Sequence, residues 1–111
     1  MIKRFEVVFM REAEDFLMNL SASVSEKITY NIEKSIYKND ATLFKKIQNG
    51  IWEFRTIHLG MRYRLLSFWD FNKSNSAVVI KHGCIKKTSK LPKQQIEKAI
   101  KRRSQYYRQS L

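Results

Sequence analysis

Positions alternate with period two over Arg4–Phe9, with Phe5, Val7 and Phe9 on one side and Arg4, Glu6 and Val8 on the other. That is the pattern of a half-buried strand. From Glu12 to Leu20 the period lengthens. Ala13, Phe16, Leu17 and Leu20 recur at helical spacing and form one apolar stripe. Glu12, Glu14 and Asp15 fall in the first turn, where carboxylates meet the positive end of the helix dipole, so these clustered acids need no catalytic or metal role. A polar break at residues 21–25 offers Ser23 or Ser25 as the cap of a second helix running to about Lys38. Ile28, Ile32, Ile36 and Tyr37 make its buried stripe, which leaves Lys27 and Lys34 in water. Ala41–Ile47 reads as a short connector anchored by Leu43, Phe44 and Ile47, with Lys45 and Lys46 exposed.

Ile51–His58 and Met61–Trp69 are the next strands, joined at Leu59-Gly60, where Gly60 supplies the positive φ of a tight hairpin turn. A two-residue turn sets the register: Arg55 faces Arg64, Ile57 faces Arg62 and Glu53 faces Leu66. Trp52, Phe54, Tyr63 and Leu65 form the apolar face expected to meet the helices. Glu53, Arg55, Arg62 and Arg64 are expected to look outward. After a polar loop, Ala77–His82 is the last strand, with Val78, Ile80 and His82 on one side and Val79 and Lys81 on the other. Gly83 is expected to end it and release a basic loop from Cys84 to Lys90. Leu91-Pro92 opens a final, very basic helix with Ile96, Ala99, Ile100 and Arg103 as its stripe. The order β-α-α-β-β-β-α predicts one α+β domain over residues 1–111. It has a small antiparallel or mixed sheet of about four strands, a helical hairpin and a C-terminal helix, with the helices on one face and a basic face opposite.

Charge sharpens this picture. The net charge of +12 on 111 residues attracts polyanions, nucleic acid first among them. Cys84 is the single cysteine, so no intrachain disulfide forms and a cytoplasmic setting is expected. With only His58 and His82 beside it, no zinc set is expected. The start MIKRFEVVFMREAEDF carries acids and no long apolar run, unlike a signal peptide. No apolar run approaches the ~20 residues that span a bilayer, so no membrane partner is expected.

Like charges directly across a strand ladder cost a few tenths to about 1 kcal/mol. A purely structural sheet gains nothing from Arg55 beside Arg64, whereas two guanidiniums can hold a phosphate between them. Gly-rich phosphate loops, GxSxG, HExxH and Cys/His clusters are all missing. A Cys84–His82 nucleophile pair is set aside, because residues two apart at a strand end share a face without touching. What remains suits cleavage of RNA, whose 2′-OH is a built-in nucleophile. Such an enzyme needs neither metal nor cofactor, only in-line orientation, stabilisation of the phosphorane and movement of protons. The proton work could fall to Lys, Tyr, Glu or His. The same charge pattern would serve a basic RNA-binding module that does not cleave, or a subunit that docks an acidic partner. Lys45, Lys46, Arg62, Lys81, Lys90 and Tyr106 are the candidate contacts to RNA.

The runs GIWEFR, GMRYRLLSF and HGCIKKTSKLP, in that order, resemble the RelE/HigB toxin superfamily, in particular its phage-derived, host-inhibition branch. The preceding LFKKI, the following QIEKA and the basic, aromatic end of the last helix extend the resemblance over about residues 40–108. It implies a metal-independent, ribosome-dependent messenger-RNA endonuclease that cuts the codon in the ribosomal A site. Its partners would be mRNA, the ribosomal RNA and a co-encoded antitoxin, in this branch a helix-turn-helix DNA-binding protein. By position, Arg64 is implied to bind the scissile phosphate and Arg55 to occupy a second sheet position. Lys86 or Lys87 is implied to stabilise the transition state. Well-known members carry a lysine where this chain has Glu53, and another near Ile51. Glu53 therefore either replaces that base or only orients Arg55. A C-terminal tyrosine assists in the family, which brings in Tyr106 or Tyr107, and histidines serve some members, which keeps His82 a candidate. The assignment of acid and base stays open.

Overall fold

The computed structural model describes residues 2–72, 76–86 and 91–109. In chain order these form β1 (Glu6–Phe9), α1 (Arg11–Met18), α2 (Ala22–Tyr37), β2 (Phe44–Gln48), β3 (Ile51–His58), β4 (Met61–Asp70), β5 (Ala77–Lys86) and α3 (Lys93–Gln109). The strands make one mixed sheet in the order β1-β5-β4-β3-β2, with β1 parallel to β5 and the other pairs antiparallel. The α+β class is as expected, with one strand more.

That strand is β2, inside the stretch read as a connector. Its signal stands just after it. Asn49-Gly50 is the pair that favours a two-residue hairpin, and the two residues take φ of 51° and 77°. Leu59-Gly60 repeats the geometry at the β3–β4 turn, with φ of 52° and 78°. The caps of α2 also differ. Ser21 occupies the cap position, while the Ser25 hydroxyl donates to the Leu17 carbonyl at 2.6 Å and ties α2 back to α1.

The helices do not share one face. α1 and α2 cover Phe5, Phe44, Phe54, Leu65, Val78 and Ile80. α3 lies on the opposite face, where Ile96 and Ala99 bury against Ile51, Leu66, Phe68 and Val79. The strands explain the split. Leu65 and Leu66, like Val78 and Val79, are apolar on both faces, and a strand of that kind needs cover on both sides. α3 covers one end of its face and leaves the end with Arg55, Arg62 and Ile57 open.

β5 departs from expectation twice. It continues through Gly83 to Lys86, so Lys86 is a strand residue. A Cβ at Gly83 would enter the Phe16 ring of α1, so this glycine permits close packing and does not end the strand. The pairing with β4 also shifts: Leu66 faces His82, but Ser67 faces Ile80. Lys81 is the extra residue of a β-bulge, and the bulge reverses the alternation that follows it. His82, Cys84 and Lys86 therefore share a face with Leu66, Arg64 and Arg62, not with Val78 and Ile80. Among the described residues no helix is long and apolar enough to cross a membrane.

Candidate functional site

The β3–β4 register sets Arg55 opposite Arg64, with Glu53 on the same face. Glu53 Oε1 lies 3.4 Å from Arg55 Nε and 3.5 Å from Arg64 Nε. The two arginines differ in depth. The Arg55 side chain is 30% exposed, whereas Arg64, expected to look outward, is 2% exposed and donates from Nη1 to the Tyr63 carbonyl at 3.1 Å. Arg64 is thus the buried floor of the site and Arg55 its rim. Burial pushes the Arg64 pKa below its ordinary value; Glu53 opposes this, and Arg55 and Arg62 add to it. A guanidinium stays charged through such a shift. Glu53 Oε2, Arg55 Nε and Arg64 Nε are buried with no hydrogen-bond partner among the described residues, so the polar capacity of the group is not filled from within.

β5 completes the group. Cys84 stands opposite Arg64 and Lys86 opposite Arg62. Arg55, Arg64 and Lys86 thus gather around one carboxylate, with the exposed Arg62 beyond them. The Lys86 ammonium is buried, which lowers its pKa; Glu53 partly offsets this, and Arg64, Arg55 and Arg62 push it further down. Burial, reinforced by Glu53, raises the Cys84 pKa and keeps its thiol neutral, which suits packing and not nucleophilic attack. His82 is one residue pair further along. Its Nε2 is 2.9 Å from Gln95 Oε1 of α3, which fits the Nε2–H tautomer donating to that oxygen. Burial holds its pKa below the ordinary histidine range, and Nδ1 is buried with no partner among the described residues.

Two proposed RNA contacts are occupied elsewhere. Lys81 sits buried in the bulge and donates to Glu12 Oε2, while Lys98 donates to Glu12 Oε1 at 2.7 Å. Glu12, read above as a dipole carboxylate, instead links α1, β5 and α3. Burial alone would raise its pKa, but the two lysines overcome this and bring it to about 2. The Tyr106 hydroxyl donates to Asp70 Oδ2 at 2.5 Å, and its ring meets Phe68 edge-on at 5.3 Å. Burial and Asp70 push that phenol up to about 12, so Tyr106 is a packing residue and not an open stacking surface. Lys87 and Lys90 lie outside the described residues. Lys45, Lys46 and Arg62 are exposed, Lys45 paired across from Glu53 and Lys46 from Trp52.

The Arg55 N–H donates to the Leu43 carbonyl at 2.7 Å, and past that bond no strand accompanies β3 among the described residues, which leaves the Thr56–His58 edge open. A cleft of about 520 Å³ opens there, lined by Arg55, Ile57 and Arg64, by Lys27, Asn31 and Lys34 of α2, and by one carboxylate, Asp40, whose Oδ1 accepts from the Thr42 N–H and hydroxyl. Asn31 Nδ2 donates to Thr56 Oγ1 at 3.0 Å and holds α2 to β3 beside it. Lys27 and Lys34 were left to solvent by the helical period. Only the shortness of β2 brings them to the cleft, and no local sequence signal marks it. This arrangement can bind a phosphodiester: guanidiniums at floor and rim, lysines along the wall. Among the described residues no three potential metal ligands converge.

No curated protein matches the chain. The family model described as Phage derived protein Gp49-like (DUF891), which stands in the context of the RelE/HigB-like toxins, matches residues 15–104. The match contains Glu53, both site arginines, Lys86 and most of α3. It covers most of the chain, and the protein therefore belongs to the phage-derived Gp49-like family.

Proposed function

We propose that this chain is a toxin that cuts messenger RNA in the ribosomal A site without a metal, by directing the RNA 2′-OH at the adjacent phosphate. The observation that carries the reading is Glu53 held between Arg55 and Arg64, with Oε2 buried and unpartnered among the described residues. In this mechanism a phosphate enters from the cleft beside β3. Arg64 takes one non-bridging oxygen and Arg55 another, and their donors strengthen as charge develops on the phosphorane. Glu53 Oε2 accepts the 2′-OH proton as the O2′–P bond forms. The P–O5′ bond breaks, and Lys86, whose pKa is lowered chiefly by burial, gives its proton to the leaving 5′ oxygen. The products are a 2′,3′-cyclic phosphate and a 5′-OH. His82, bonded to Gln95, holds α3 against the site. The ribosome aligns the strand, and the exposed Lys45 and Arg62 meet its RNA. The cognate antitoxin, a helix-turn-helix protein, shields this cationic face in the cytoplasm.

The test is primer extension on a defined messenger in a purified bacterial translation system, with and without ribosomes. Cleavage within the A-site codon is expected only with ribosomes. Arg55→Ala and Glu53→Gln should each slow it by about 100-fold or more. The burial of Arg64 favours a second reading, in which the exposed cations bind RNA or ribosome and nothing is cut. Stalled translation with intact messenger would establish that reading, and wild-type cleavage in both variants would remove the site from the chemistry.

A further inference from the structure

A second cleft, of about 400 Å³, lies at the end of the strands away from the Leu59-Gly60 turn. Its wall is aromatic. The Phe71 ring is parallel to Trp69 at 5.9 Å and 8°, and Trp52 meets Trp69 edge-on at 6.0 Å and 80°. Phe71 is 75% exposed, so the row of rings is open at one end. Its rim is cationic. Lys46 projects from β2 across from Trp52, and Arg103 reaches in from α3, donating to the Asn49 carbonyl. Gly50 makes room for that guanidinium, since a Cβ there would collide with it. No carboxylate lines the cleft among the described residues. The neighbouring Asp70 is engaged on the other side, by the Tyr106 hydroxyl and the Asn72 N–H.

We propose that this cleft is a base-stacking subsite for single-stranded RNA, Phe71 and Trp69 taking the base and Lys46 and Arg103 the flanking phosphates. The proposal deepens the RNA-cleaving reading and rests on it for the identity of the polyanion. Parallel rings suit a flat heterocycle of any sequence, and cations beside them suit its backbone. The edge strand β2 connects the two sites. Lys45 stands on the Glu53 face and Lys46 on the tryptophan face of the same edge. Trp69 is five residues along β4 from Arg64, about 16 Å at the rise of a strand, but on the opposite face, so RNA joining the two sites would pass over the β2 edge. An acidic protein segment would satisfy Lys46 and Arg103 but would leave the open ring face unused.

Both tryptophans of the chain, Trp52 and Trp69, line this cleft, so intrinsic fluorescence reports on it directly. The full chain would be titrated with 2′-O-methyl hexa-adenylate, which lacks the attacking hydroxyl and cannot be cut. The expected result is saturable quenching that weakens as salt rises. Phe71→Ala, at an exposed position, should weaken binding about fivefold or more, and Lys46→Glu should weaken it further at low salt. Arg55→Ala should keep the quench while losing cleavage, so a failure of the catalytic reading leaves this result standing. Absence of quenching, or equal quenching in Phe71→Ala and Lys46→Glu, overturns the proposal. Quenching by polyglutamate but not by the oligonucleotide also overturns it, in favour of an acidic protein partner.

Discussion

At Glu53 a single carboxylate keeps two guanidiniums together inside a sheet. Removing it leaves Arg64 charged and unpaired where water scarcely reaches. Glu53→Ala should lower stability by about 3 kcal/mol, the scale of breaking a buried ion pair. Adding Arg64→Met should recover much of that, because the most deeply buried of the cations is then gone; urea midpoints of the two variants decide it. Glu12 acts through titration. Its pKa falls from 4.5 to about 2 in the folded chain, so its contribution is complete above about 4.5 and is lost as pH falls through 2. Glu12→Gln should therefore cost about 1 kcal/mol at pH 7, a modest figure because the carboxylate is half exposed. That gap should close in urea titrations run between pH 4.5 and 2. The identities of these charged residues were legible in the sequence, and so was the facing of Arg55 and Arg64, because a two-residue turn leaves one register. Their depth was not legible. It depends on α3 crossing to the second face, which the stripe of Ile96 and Ala99 does not specify.

The two hairpin turns make a comparison at the scale of elements. Asn49-Gly50 and Leu59-Gly60 take nearly the same backbone angles, but asparagine tolerates positive φ far better than leucine. Leu59 is 88% exposed and gains little from burial in return. Leu59→Asn should raise stability by about 1 kcal/mol, read as a higher melting temperature; an unchanged or lower value would mean that the side chain contributes contacts the tip needs. The Asn-Gly pair marked β2 in the sequence, and two consecutive lysines in a five-residue run masked the strand. The bulge in β5 had no local mark. Lys81 leaves the alternation to reach Glu12, a partner 69 residues earlier, and a period counted along one strand cannot contain that contact. The bulge in turn decides which face His82, Cys84 and Lys86 occupy, so an error of one residue there misplaced His82.

For the whole molecule the charge of +12 sets the behaviour toward polyanions. Binding to single-stranded RNA should fall linearly in a log–log plot against salt, and removing one phosphate contact with Arg55→Ala should reduce the slope by about 0.7. A slope unchanged by that substitution would detach the cleft beside β3 from the RNA path. The parallel pairing of β1 with β5 has a separate consequence, in time. The two strands are neighbours although roughly seventy residues lie between them, and among the described residues β1 has no other sheet neighbour. A growing chain emerges N-terminus first. β1 must wait for β5, and β5 also brings Cys84 and Lys86 to the arginines. On the function proposed above, the chain is thus unarmed while most of it is being made on a ribosome, and the delay is written into its topology.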